Sequence, residues 1–174
     1  MAGDLKNKYS STNALTVTNL QSLASSSAFT SGWTSGTIDN TSTLAYDRLI
    51  AANLYAGTSP TDAKEIRVYA YAVVSEVSGT AIWPDIFSSG TEGTEGAATL
   101  HDAENLSSGL VFLWSTPTDT TTDGPYPMPP VSLRSAFGGT LPPKCAIYIT
   151  HSTGVNLKST LQAVYDTPVM EQYT

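Results

Sequence analysis

Cys145 and His151 are the two side chains whose types best suit nucleophilic chemistry, a thiol and an imidazole within one run, KCAIYITH. A working dyad needs the pair in hydrogen-bond contact. The run alternates like a β-strand, and at about 3.3 Å per residue its two ends lie roughly 20 Å apart. The spacing therefore predicts a buried, apolar cysteine and not a nucleophile. His101 is the other histidine. With no HxxxH or HExxH pair, a zinc site would need carboxylates from distant parts of the chain, so both histidines are expected to be structural. Asp85, Glu92 and Glu95 flank a glycine-rich stretch, and oxygen ligands on such loops suit calcium. Their spacing is not that of an EF-hand, and solvated loop acids are the default.

Trp33, Trp83 and Trp114, with nine tyrosines, are the ingredients of a carbohydrate platform. They are equally those of a core or a subunit interface. Asn40-Thr41-Ser42 and Asn105-Leu106-Ser107 match the glycosylation sequon, but about a quarter of the chain is serine or threonine, so such matches arise by chance. There is no Gly-x-Ser-x-Gly elbow, Walker loop or dinucleotide fingerprint, and nothing singles out a carboxylate pair for glycoside hydrolysis. The chain is expected to be non-enzymatic, with no catalytic residue, cofactor or metal ligand assigned.

The elements that would position any site are short and β-like. A length of 174 residues with 40% hydrophobic content suits one domain with one substantial core. Only 13% of residues are charged, and the net charge is −7 with 8 Lys+Arg. An acidic chain without a basic cluster is a poor partner for nucleic acid or for anionic membrane surfaces. Residues 1–12 lack the apolar core of a signal peptide, and no apolar run approaches the roughly 20 residues that span a bilayer. A single cysteine allows no intrachain disulfide, so synthesis in a reducing cytoplasm is expected.

Residues 1–12 are predicted to be an N-terminal arm, and 13–174 a single β-sandwich domain. Alternation predicts strands over 14–20, 65–76 and 144–151. Residues 21–40 suggest a loop with a short strand, anchored by Phe29 and Trp33. The 44–56 segment permits a helix, but a strand is favoured. Residues 77–101 are expected to be a long variable region with an apolar knot at Trp83–Pro84 and Ile86–Phe87, and the Gly90–Gly96 repeat a flexible loop tip. A bulged, buried strand is expected over 106–115. Residues 116–130 are expected to be an extended connection, because proline removes ladder donors. A short strand or helical turn should follow over 131–137, then one or two strands over 161–173, broken near Pro168. Seven or eight strands with connections of uneven length point to an all-β antiparallel sandwich of jelly-roll type.

Three stretches are familiar in combination. Gly57-Thr58-Ser59-Pro60-Thr61 precedes the 65–74 strand. Pro130-Val131-Ser132-Leu133 runs into Phe137-Gly138-Gly139-Thr140-Leu141-Pro142. Ile147-Tyr148-Ile149-Thr150-His151 precedes Thr153-Gly154-Val155-Asn156. Their order resembles that of small virion structural proteins of tailed bacteriophages, nearest to the head proteins that decorate or cement the capsid. The resemblance covers roughly residues 57–165. It implies a jelly-roll or related sandwich without catalytic residues, made in the host cytoplasm and placed on the capsid surface of the virion. The implied partners are the major capsid protein and further copies of the chain, as a dimer or trimer. A tail, neck or fibre-associated virion protein and a carbohydrate-binding sandwich module are the alternatives.

Overall fold

The computed structural model describes residues 5–173. In chain order its strands begin with β1 (Leu5–Tyr9), β2 (Asn13–Ala14), β3 (Ser31–Thr34), β4 (Ile38–Asp39), β5 (Asp47–Tyr55) and β6 (Glu65–Ala72). A hairpin of β7 (Ser75–Val77) and β8 (Thr80–Ile82) follows, then β9 (Phe87–Ser89) and β10 (Gly96–Leu100). The chain continues through α1 (Asn105–Ser108), β11 (Val111–Pro117), β12 (Pro125–Ser132), α2 (Leu133–Ala136), β13 (Lys144–His151) and β14 (Ala163–Tyr173). Every ladder is antiparallel. One sheet is ordered β1-β14-β5-β12, with β2 also on β14. The other is ordered β11-β6-β13-β3-β10-β9, with β4 also on β13. The all-β class expected from the sequence is observed, and the 44–56 segment is a strand.

Period-2 patterning builds the core between these sheets. β5 buries Arg48, Ile50, Ala52 and Leu54 and half-exposes the residues between them. Met128 of β12 and Val164 of β14 join them from the same sheet. Ile66 and Val68 of β6, Ile147 and Ile149 of β13 and Trp33 of β3 face them from the other. At about 1.5–3 kcal/mol for each fully buried large apolar side chain, this layer is the main source of stability.

β6 and β13 are buried on their second face too, where alternation predicts only a partly covered tyrosine surface. Residues 83–110 fold back across it. Ile86, Phe87, Ala98, Leu100 and Leu110 cover Tyr69, Tyr71, Ala146 and Tyr148. The ring of Tyr71 meets those of Trp83 and Phe87 edge-on, with centroids 5.4 and 5.6 Å apart. The long variable region over 77–101 carries β8, β9 and β10. The glycine repeat is not a free tip. Gly93 donates its N–H to the Tyr71 hydroxyl at 2.9 Å, and its carbonyl accepts from Thr37 Oγ1 at 2.9 Å. Its φ is +70°, and a Cβ there would run into the Trp83 ring, so glycine is required.

Other expectations are corrected by edges and gaps. Of the expected 14–20 strand only Ala14, the end of β2, joins a ladder; beyond it Leu15 and Val17 still pack against the core. The 106–115 strand is instead one turn of helix ending at Gly109, then β11, a half-exposed edge strand whose register shifts between Phe112 and Trp114. Residues 125–128 of the expected 116–130 connection pair with β5. Proline is tolerated there because β12 is a sheet edge. Pro125 and Pro127 alternate along the paired part of the strand, and Pro129 and Pro130 fall where the register shifts between Met128 and Val131. β14 runs unbroken through Pro168. The Pro168 carbonyl accepts from Ser10 N at 2.9 Å, in the gap between β1 and β2 where no ladder donor is needed.

One charged pair sits inside this core. Arg48 donates to the Asp166 carboxylate, to Asn40 Oδ1 at 3.2 Å and to the Asp39 carbonyl at 2.8 Å. Pro168 lies opposite Arg48 and Asp166 opposite Ile50, so the pair is diagonal on the inward face of β5 and β14. Burial pushes the Asp166 carboxyl above its ordinary range, and the Arg48 charge opposes that rise.

Two predictions follow from this packing. Arg48→Met leaves a buried carboxylate unpaired and is expected to cost about 3–5 kcal/mol in urea unfolding. Adding Asp166→Leu should recover more than about half of that loss; no recovery would show that the pair is not a coupled unit. Gly32→Ala places a Cβ against the Ile149 carbonyl and the Tyr148 ring. It should destabilise by about 3 kcal/mol, the upper end of overpacking costs, measured by the same melts.

Candidate functional site

The residues singled out from sequence do not converge. Cys145 is 1% exposed in the core, and burial raises its thiol to about 12. It lies at the far end of β13 from His151, as the spacing predicts. His151 is also buried: Nε2 lies 3.0 Å from the Leu23 carbonyl and Nδ1 3.0 Å from Thr153 Oγ1. Burial drives its imidazole down to about 4, against a smaller upward pull from the Leu23 carbonyl. His101 pairs with Asp85 at 3.2 Å on the surface.

The three acids considered for calcium serve separate structural purposes. Glu92 accepts from the amides of Ile86 and Phe87, both at 3.2 Å. Glu95 accepts from Asn19 N, Asn19 Nδ2 and Trp33 Nε1, each at 2.8 Å. Burial pushes the Glu95 carboxyl up, but these donors outweigh it and hold the group below its ordinary range. Among the described residues, no group of three or more His, Cys, Asp or Glu could hold a metal ion. The tryptophans form no shared platform either: Trp33 is fully buried, while Trp83 and Trp114 pack against different clusters. Both sequon asparagines are in structural use. Asn40 holds Ala45 and Arg48, and Asn105 donates to the Ile86 carbonyl.

A site missed by the sequence lies at one end of the sandwich, where four connections are tied together. Thr61 N donates to the Thr153 carbonyl at 2.8 Å, Gly57 N to Asn156 at 3.0 Å, Leu157 N to Leu23 at 2.9 Å and Ala63 N to Thr118 at 3.0 Å. Two concavities lie among these loops. The larger, about 550 Å³, is lined by Ser25, Ser27, Phe29, Lys64, Glu65, Arg67 and Ser152, with Ala63 and Gly154. A second of about 380 Å³ lies further along the same loops, between Ser22, Thr58, Asp123 and residues 155–159.

The larger concavity is rich in donors. The Arg67 guanidinium lies 3.8 Å from the centre of the Phe29 ring and is held by Glu65 Oε2 at 2.6 Å. Ser25 Oγ accepts from Gly154 N at 2.9 Å, and Ser152 Oγ accepts from Glu65 N at 3.3 Å. Both hydroxyls therefore keep a proton to give. Lys64 is exposed and belongs to none of the ion pairs among the described residues. Two sequence signals were available for it: Arg67, the one cation within the 65–76 alternation, and Phe29, a large ring in a serine-rich stretch.

The chain matches no protein-family model, no curated protein and no solved structure.

His151 stitches this loop end to the core, and its titration has a definite sign. Its folded value of about 4 lies below the ordinary 6.5, so the unfolded chain binds the extra proton between those pH values. Stability should be full above pH 6.5 and fall as pH drops toward 4, by about 3 kcal/mol in all. His151→Gln should lack that component. Equal pH slopes for wild type and variant in chemical denaturation would remove His151 as its source.

Proposed function

We propose that this chain is a non-enzymatic virion structural protein that binds and stabilises the outside of a phage capsid, and that its sandwich is a jelly roll. The observation that carries this is the strand order. β1 and β2 together, then β14, β5 and β12, form one sheet; β3, β13, β6 and β11 are consecutive in the other. Along the chain these eight positions change sheet at every step except from β6 to β11. That alternation is expected of two interleaved Greek keys, an architecture common in capsid and lectin domains. On this reading residues 73–110, with their hairpin and two extra strands, are an elaboration of the β6–β11 connection.

The chemistry of the surface supports the same reading. A cement protein acts by binding the assembled shell in preference to free subunits, which stabilises the assembly by mass action. It needs contact area and managed sheet edges. β1 is an outer strand with Lys6 and Lys8 exposed, and β12 is an outer strand lined with proline. Both features discourage pairing with a wrong strand. The β7–β8 hairpin joins neither large sheet and exposes Val74, Val77 and Ile82 at 71%, 56% and 46%. A two-stranded hairpin is marginal alone and gains from being covered.

Cryo-EM of intact virions should find this chain on the exterior of the major capsid lattice, as a dimer or trimer. Density for it in the tail or neck alone would overturn the capsid assignment. Particles lacking the chain should lose their genome at lower temperature than complete ones, and adding purified protein should restore them.

A further inference from the structure

We propose that the larger loop-end concavity binds an acidic oligosaccharide, a sugar chain that carries carboxylates. The site goes beyond the capsid role and does not rest on it. Its polar groups are mostly donors. The hydroxyls of Ser25 and Ser152 already accept backbone N–H groups, so what they offer a ligand is O–H. Lys64 and Arg67 against Glu65 leave one cation in excess, within a chain of net charge −7. Donors around a surplus cation select an acceptor-rich anion. A hydroxylated frame bearing carboxylate supplies both kinds of acceptor.

Shape favours a sugar over a protein segment. Protein interfaces are broad, and their cores are depleted in charge. This surface is concave and hydroxyl-lined, and its 550 Å³ falls within the size of small-ligand sites. Arg67 is fixed in advance by the Phe29 ring and by Glu65, so little side-chain freedom remains to be lost on binding.

Backbone strain marks the same place independently. Phe29 and Ala63, on the larger concavity, have φ of +60° and +54°; Ser22 and Asp123, on the smaller, have +60° and +56°. Left-handed residues other than glycine persist where the surroundings over-determine them, and they gather at ligand sites. Phe29 and Ala63 have no side-chain acceptor to favour that conformation. The two concavities draw on the same 22–29 and 152–159 loops, and Thr58 and Asn156 line the smaller one.

The test uses the whole protein and two matched probes, a tri-galacturonate and a neutral trisaccharide of equal length, titrated by NMR shift perturbation at low salt. The uronate should bind at least about tenfold more tightly than the neutral sugar, move the amides of residues 25–29 and 63–67, and weaken as salt is raised. Lys64→Gln should weaken uronate binding by roughly threefold to tenfold with no change in melting temperature, because Lys64 is exposed and outside the ion pairs. Arg67→Gln should weaken it further and is compared only after its fold is checked by the same spectra. Equal affinity for both sugars, no shifts at these loops, or a Lys64→Gln variant that binds like wild type would overturn the proposal. So would a glutamate-rich peptide that binds as tightly as the uronate, since that would make the site a docking patch for acidic protein.

Discussion

The rest of the structure depends on β6 and β13 being covered on both faces over Val68–Tyr71 and Cys145–His151. Both strands lie inside the second sheet and carry apolar or aromatic residues on each side. The sandwich covers one side only. Leaving Tyr69, Tyr71, Ala146 and Tyr148 uncovered would expose a contiguous apolar patch of a kind that soluble domains seldom tolerate. Residues 83–110 are the cover. Once they lie there, their polar groups need partners, and Tyr71 supplies one by bonding to both Thr34 and Gly93. Burial raises the Tyr71 phenol to about 12, so it stays a neutral donor and acceptor. The placement of the glycine repeat and of the carboxylates of Glu92 and Glu95 follows from closing this third layer.

The first sheet faces a different constraint. Its inward face carries Arg48 and Asp166, which are isolated from water and therefore need each other. Their diagonal placement, with the Asp39 carbonyl and Asn40 as further acceptors, ties β5 and β14 to the β4 turn. The pair is specific in register, because sliding β14 by one residue would turn Asp166 to the surface. The same strand carries Pro168, which fits only opposite the gap between β1 and β2. Charge and proline thus set one alignment from two sides.

These rigid layers hold the loops at the far end of the sandwich. Each of the four connections there is bonded to a neighbour through backbone or serine groups, and His151 fastens two of them from below. A hydroxyl-rich surface has two consequences in such a place. Where hydroxyls accept from backbone amides they replace ladder bonds and stiffen the loops, and each still has a proton to donate. The Ser/Thr-rich composition is read at this end as pre-positioned donors.

Strands with clean alternation were legible in the chain: 65–76 and 144–151 declare themselves because a period of two is local, whereas the spacing over 44–56 also permitted a helix. The separation of Cys145 from His151 was legible too, a matter of rise per residue. The anchoring of Glu95 and of the repeat was not, because polar groups are placed by partners far along the chain. Proline in β12 was misjudged for a related reason. A missing donor is disallowed inside a sheet and harmless at its edge, and only sheet order says which applies. The loop-end site was equally hidden, since Phe29, Lys64, Arg67 and Ser152 come together only after the sheets have packed. The sequence by itself determined the strand class and much of the core, which depend on short-range pattern. The tertiary structure alone decided which faces were covered twice, which edges stayed open and which donors share a concavity, because those depend on long-range neighbours.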